Sequence, residues 1–238
     1  MTELEKMLAG GLYDFSDAEL AEQFREGRRR VERFNRTPAD DAAAYAAALG
    51  ALIPGIPASA KVVQPFYCDL GWRIELGEEV FVNMGCTFLD CGGVRIGART
   101  KLGPNCQPYT PQHPVDYLDR RRPVETSFRI TIGEDCWHGG GVVVCPGVTI
   151  GDRSVVAAGS VVVRDIPADS LAAGHPAADC LDAAPAGAGR TGFPLPTPWY
   201  RCRRLCGYSG YTWPSPFSRN FFPTRNSRAS CKARSTFS

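Results

Sequence analysis

Histidine is scarce in this chain, with three in 238 residues. His113, His138 and His175 form no cluster. Only Cys202 and Cys206 make a close cysteine pair, and no second pair or histidine cluster completes a zinc site. No apolar run approaches the ~18 residues that a membrane span requires. Charge of one sign is also lacking: the formal net charge is +2, too small to argue for a nucleic-acid or membrane partner. Met1 to Lys6 lack the basic-then-apolar order of a secretory signal, so a cytoplasmic location is expected. There the ten cysteines would remain free thiols. Six of them lie between Cys68 and Cys145, mostly where a small buried residue would serve.

What the chain does have is a period of six. From Ile132 the hexads open with Ile132, His138, Val144, Ile150, Val156 and Val162. The second slot is small in every full hexad, as in Gly133, Gly139 and Gly151. Neither the strand period of two nor the helical 3.6 explains this pattern. A fixed short period marks a solenoid. Three six-residue edges make one triangular coil, whose aliphatic first slot points inward and stacks on the next coil. The same text, with one two-residue insertion near Cys91 to Gly93, runs from about Leu76 to Leu102.

Residues 1–58 read differently. Ser16-Asp17-Ala18-Glu19 has the form of a capping box with Ser16 as cap. Leu20, Phe24, Val31 and Phe34 follow at helical spacing, beside a basic run of Arg25, Arg28, Arg29 and Arg30. That run is either a solvated helix face or a contact to coenzyme or substrate anions. A second helix is expected over Ala42 to Leu52, then a proline-bearing linker. Residues 109–129 fit no hexad, and a long excursion from a solenoid usually marks its functional face. Residues 183–238 contain nine Arg or Lys and no Asp or Glu. Such text argues against an independent core. It is expected to be disordered or aberrant, for example the product of a shifted reading frame.

Several stretches together carry a resemblance. Met7-Leu8-Ala9-Gly10, Leu12-Tyr13-Asp14 and Arg33-Phe34-Asn35 look like a known helical cap. Pro65 to Asp69 and Phe81-Val82-Asn83 are similar to the first coils that follow it. Tyr109-Thr110 and His113-Pro114 look like a catalytic loop, and Pro146 to Asp152 like the later coils. Over roughly residues 4–178 the chain resembles the maltose and galactoside O-acetyltransferases, the sugar O-acetyltransferases of the hexapeptide-repeat class. The resemblance implies a mainly β fold: a left-handed parallel β-helix over 59–180 with an inserted loop at 109–129, an N-terminal α-helical domain over 1–58, and an irregular tail over 181–238. It implies acetyl-CoA as donor, a sugar as acceptor, a homotrimer with active sites between subunits, and no metal. A γ-class carbonic anhydrase, the metal-bearing relative by fold, needs three convergent histidines, and the three here lack that spacing.

Acetyl transfer to a hydroxyl requires a base, donors for the tetrahedral oxyanion, and an acceptor held near the thioester carbon. The resemblance makes His113 the base; from the residues alone it could be a surface loop histidine. It makes Asn83, Asp69 and Asp90 acceptor contacts, with Asp14 or Asp17 adding another from the helical domain. Each aspartate has a turn or cap reading as well. The resemblance also places Trp137, Ala158, Val163 and Arg164 on the coenzyme's path and makes the Gly140 N–H the oxyanion donor. Four departures stand out. His138 and Pro108 occupy inward aliphatic slots. Arg120-Arg121-Arg122-Pro123 and Arg129 alter the loop, where Glu125 stands in for the family's glutamate. The text also diverges at once after Ala177. Acetylation of a xenobiotic hydroxyl, or an inactive β-helix scaffold, remain as alternatives.

Overall fold

The computed structural model describes residues 1–38 and 40–179; the expected tail lies outside them. Thr2 caps helix α1 (Glu3–Leu8). Its hydroxyl accepts the Glu5 N–H at 3.1 Å, and Glu5 accepts the Thr2 N–H at 2.7 Å, the reciprocal box that satisfies two orphan donors. Strand β1 (Tyr13–Asp14) precedes helix α2 (Ala18–Arg36). The cap of α2 is Asp17, not the expected Ser16. Asp17 Oδ1 accepts the N–H groups of Glu19 at 3.0 Å and Leu20 at 3.3 Å. Ser16 donates its N–H and hydroxyl to Asp14 Oδ1 instead. Two adjacent cap formers compete here, and the carboxylate also suits the positive end of the helix dipole.

Helix α2 buries Leu20, Gly27, Val31 and Phe34. Its outer face pairs Arg25 and Arg29 with Glu22, and Arg29 and Arg30 with Glu26. Most of the basic run is therefore a solvated face. Helix α3 (Ala42–Leu52), capped by Asp41, spans the range read from the alanine-rich text. Among the described residues, no helix is long and apolar enough to cross a membrane.

From Lys61 the chain winds as a parallel β-helix whose short strands stack in three columns. The first column holds β2 (Lys61–Val62), β5 (Phe81–Val82), β8 (Lys101–Leu102), β13 (Trp137–His138), β16 (Val155–Val156) and β18 (Leu171–Gly174), closed by antiparallel β19 (Ala177–Asp179). The second holds β3 (Tyr67–Cys68), β6 (Thr87–Phe88), β9 (Gln107–Pro108), β14 (Val143–Val144) and β17 (Val161–Val162). The third holds β4 (Ile74–Leu76), β7 (Val94–Ile96), β12 (Ile130–Ile132) and β15 (Thr149–Ile150). All six first-slot residues from Ile132 to Val162 are at most 1% exposed, His138 included. Pro108 is buried in the same way. The hexad reading of an inward column is thus what the chain builds.

The excursion is a β-hairpin. β10 (Pro111–Gln112) pairs antiparallel with β11 (Val124–Ser127), and β11 pairs on its other side with β1. A short 3₁₀ turn, Asp119–Arg121, lies at its far end. One edge of the inserted loop is therefore held by β1, in the N-terminal segment.

Candidate functional site

His113 follows β10 directly, at the start of the hairpin's long turn. Its side chain is 54% exposed, and its Nε2 lies 3.8 Å from Oε2 of Glu125, which is 10% exposed. That separation exceeds hydrogen-bond reach but lies within ion-pair range. The Phe15 ring meets the imidazole edge-on, with centroids 5.9 Å apart. Beside His113 is a hollow of about 200 Å³ lined by Leu12, Gln112, His113, Pro114, Asp119, Arg122 and Thr126. Asp119 and Arg122 pair there at 3.0 Å. The turn inside the hairpin thus supplies a charged pair at the mouth of a small hollow whose wall is an imidazole.

Behind the hairpin sits a second acidic group. Asp90 is fully buried, and its carboxylate accepts three backbone N–H groups: Asp69 at 3.0 Å, Leu70 at 2.9 Å and Gly71 at 2.8 Å. Asp90 therefore organises the turn that presents Asp69. The Asp69 carboxyl is raised to about 6, first by burial and then by the neighbouring Asp90 charge. Cys91 Sγ lies 3.6 Å from Asp69 Oδ2. Asp14 is occupied with Ser16, and Asp17 with the start of α2.

A second concavity lies on the first column. Trp137, Gly139, Gly140, Val155, Val156, Ala157 and Ala158 line a groove of about 500 Å³. Small residues are required at its corner, because a Cβ on Gly139 would sit 2.5 Å from the Ala158 nitrogen. Trp137 is 47% exposed at the lip. The Gly140 N–H has no acceptor among the described residues. Asn83 occupies the same corner, because Val82, Leu102 and His138 are in register on successive coils. It lies two coils from Gly139, about 10 Å at the usual strand spacing. Val163 and Arg164 are exposed beyond β17 and lie outside the groove.

One chain thus gathers His113, Glu125, Asp69 and Asp90 at the helical-domain side. It gathers Trp137, Gly140, Ala158 and Asn83 along the first column. Among the described residues, none lines both concavities. No metal-ligating group of three occurs among them either. Tyr13 and Phe15 were not read as site residues. The clue available in sequence was the alternation of Val124-Glu125-Thr126-Ser127, which marks a strand inside the excursion and so something for it to pair with.

A parallel β-helix of hexads, with an inserted hairpin and a groove lined by small residues, places the chain in the hexapeptide class of acyltransferases. Comparison with known proteins narrows the class. Residues 129–164 match the family described as "Bacterial transferase hexapeptide (six repeats)". Residues 6–56 match the "Maltose acetyltransferase hexapeptide capping motif". A maltose O-acetyltransferase of Clostridium difficile is 38% identical, with a TM-score of 0.74 over 75% of this chain and 96% of that one. A hexapeptide-repeat acetyltransferase of Vibrio cholerae, solved with acetyl coenzyme A, is also 38% identical, with a TM-score of 0.70 over 75% and 97% of the two chains. A galactoside acetyltransferase in complex with coenzyme A is 31% identical, with a TM-score of 0.70 over 75% and 90%. The chain belongs to the maltose acetyltransferase-type family of hexapeptide-repeat acetyltransferases, whose left-handed β-helix and helical cap it shares.

Proposed function

We propose that this acetyltransferase moves the acetyl group of acetyl-CoA to a hydroxyl of a sugar, with His113 as general base. The observation that carries the reading is His113 itself: it walls the 200 Å³ hollow and faces the nearly buried Glu125. The match of residues 6–56 to the maltose acetyltransferase capping motif favours a sugar over a bulky xenobiotic. The paired Asp119 and Arg122 offer an acceptor and donors side by side, as neighbouring sugar hydroxyls require.

The imidazole takes the hydroxyl proton as the acceptor oxygen attacks the thioester carbon. Glu125 stabilises the imidazolium that results. The free N–H of Gly140 receives the oxyanion. When the C–S bond breaks, the departing thiolate takes the proton back from His113. Trp137 and Ala158 would flank the donor's pantetheine arm in the groove, with Val163 and Arg164 further along its path. Asp69 and Asn83 would hold acceptor hydroxyls, with Asp90 setting the position of Asp69. Asp14 and Asp17 would shape the rim. Because the hollow and the groove share no lining residue in one chain, the reading requires a second subunit to bring them together, as a homotrimer would. The six described cysteines are free thiols, five of them buried, which suits the cytoplasm as the place of work.

The test is acetyl-CoA with a panel of sugars and antibiotics, read by thiol release, beside His113→Ala. Release with a sugar that falls about 10²–10⁴-fold in the variant supports the reading. Activity on antibiotics alone would move the assignment to the xenobiotic class. No release with any acceptor would leave the scaffold.

A further inference from the structure

The hydroxyl of Tyr13 donates to Oε1 of Glu125, and Glu125 Oε2 faces His113 Nε2 at 3.8 Å. The two residues are direct partners in the antiparallel β1–β11 pair, so their side chains leave the sheet on one face. Tyr13 is 1% exposed and Glu125 8%. Around the Tyr13 ring lie Met7, Leu20, Leu70 and Cys91. A phenylalanine would fill that space equally well, so packing explains the ring and leaves the hydroxyl unexplained. Glu125 explains it. A carboxylate this deep is costly unless its oxygens are satisfied, and Tyr13 is the side-chain donor the chain gives to Oε1. Burial, first among several causes, also pushes the Tyr13 phenol far above its usual range, so it stays a donor at every working pH. Of the other charged groups near His113, Asp119 and Arg122 are paired with each other, and Arg120 donates to the Pro114 and Val115 carbonyls.

We propose that Tyr13 is a positioning residue for catalysis: its hydroxyl fixes the Glu125 carboxylate that orients His113, which makes the N-terminal domain part of the catalytic machinery as well as a cap. The proposal rests on His113 being the base. It predicts a chain of action in one order, Tyr13 on Glu125 and Glu125 on His113.

Tyr13→Phe, Glu125→Gln and the double variant test it. Should the first fold poorly, 3-fluorotyrosine at position 13, which keeps the ring and hydroxyl but alters the hydroxyl's strength as a donor, takes its place in the ring spectrum. The first readout is the ¹⁵N spectrum of the His113 ring, which reports its tautomer balance and needs no acceptor; three histidines and a His113→Ala control make it assignable. The second is kcat and KM by thiol release. Tyr13→Phe is expected to move the His113 tautomer balance in the direction that Glu125→Gln moves it. It should lower kcat about tenfold with the KM for acetyl-CoA unchanged, and add nothing in the Glu125→Gln background. A His113 spectrum unmoved by Tyr13→Phe, or kcat losses that multiply in the double variant, would overturn it. A wild type that releases no thiol defeats the functional reading, while the ring spectrum still decides the role of Tyr13.

Discussion

Asp90 accepts the backbone N–H of Asp69 at 3.0 Å, so one buried carboxylate holds the turn that carries the other. Two aspartates that look alike in sequence therefore have different work. Asp90→Asn leaves one carbonyl oxygen for three N–H donors and turns an amide N–H₂ toward one of them. It should cost on the order of 1–3 kcal/mol of stability, measured by urea denaturation.

Asp69→Asn should behave oppositely. Burial and the neighbouring Asp90 charge raise the folded-state carboxyl to about 6, from an ordinary value of 3.8. Its stability contribution is therefore fully present below about pH 4 and is lost as pH rises through 6. The asparagine variant escapes that loss, so it should match or exceed wild type at pH 8 while its acceptor KM rises. A variant as unstable at pH 8 as Asp90→Asn would show that Asp69 is structural instead.

Gly27 decides how closely the helical domain seats. A Cβ there would stand 2.0 Å from the Asp69 carbonyl oxygen, with backbone rather than a yielding side chain in the way. Gly27→Ala must push α2 off the first coils. The expected loss is about 1–3 kcal/mol, as for overpacking elsewhere, with acceptor KM raised because Asp69 moves too. Tm and KM measured together check it; a neutral Tm would mean that α2 seats loosely.

The solenoid was legible because its rule is local: every sixth residue faces inward, and Ile132, Val144, Ile150, Val156 and Val162 obey it. The ranges of α2 and α3 were legible from apolar spacing and composition. The Tyr13–Glu125 contact was not, because it joins residues 112 apart. A two-residue strand such as β1 carries no period that a sequence could display. The cap of α2 was misplaced by one residue because Ser16 and Asp17 are both good caps. Asp90 was read beside Asp69 because nothing in a sequence distinguishes a carboxylate facing backbone donors from one facing a ligand.

Trp137 sits half-exposed at the lip of the groove that small residues open. On the proposed reading its ring flanks the donor. Trp137→Ala should raise the KM for acetyl-CoA about tenfold while the acceptor KM and kcat change little, the pattern of lost uniform binding. Initial rates at varied acetyl-CoA decide it. An unchanged donor KM would remove Trp137 from the coenzyme's path.

His138 occupies an inward slot between Leu102 and Val156 on the adjoining coils, and its buried Nε2 has no hydrogen-bond partner among the described residues. Burial lowers its titration to about 4 from 6.5. The unfolded chain therefore binds a proton that the folded chain refuses between those values. Stability is lost as pH falls from 6.5 toward 4, by about 3 kcal/mol at the lower end at 1.36 kcal/mol per unit. His138→Leu restores the aliphatic column at similar volume. It should raise Tm at pH 7 by removing an unsatisfied polar group worth roughly 1–3 kcal/mol, and flatten the decline between pH 6.5 and 4. Gly140 lies two residues on, so the same variant asks whether the histidine matters to catalysis. If kcat holds while Tm rises, His138 is a flaw in the column and nothing more. A fall in kcat with a higher Tm would show that the coil's exact set, with histidine in it, aims the Gly140 N–H.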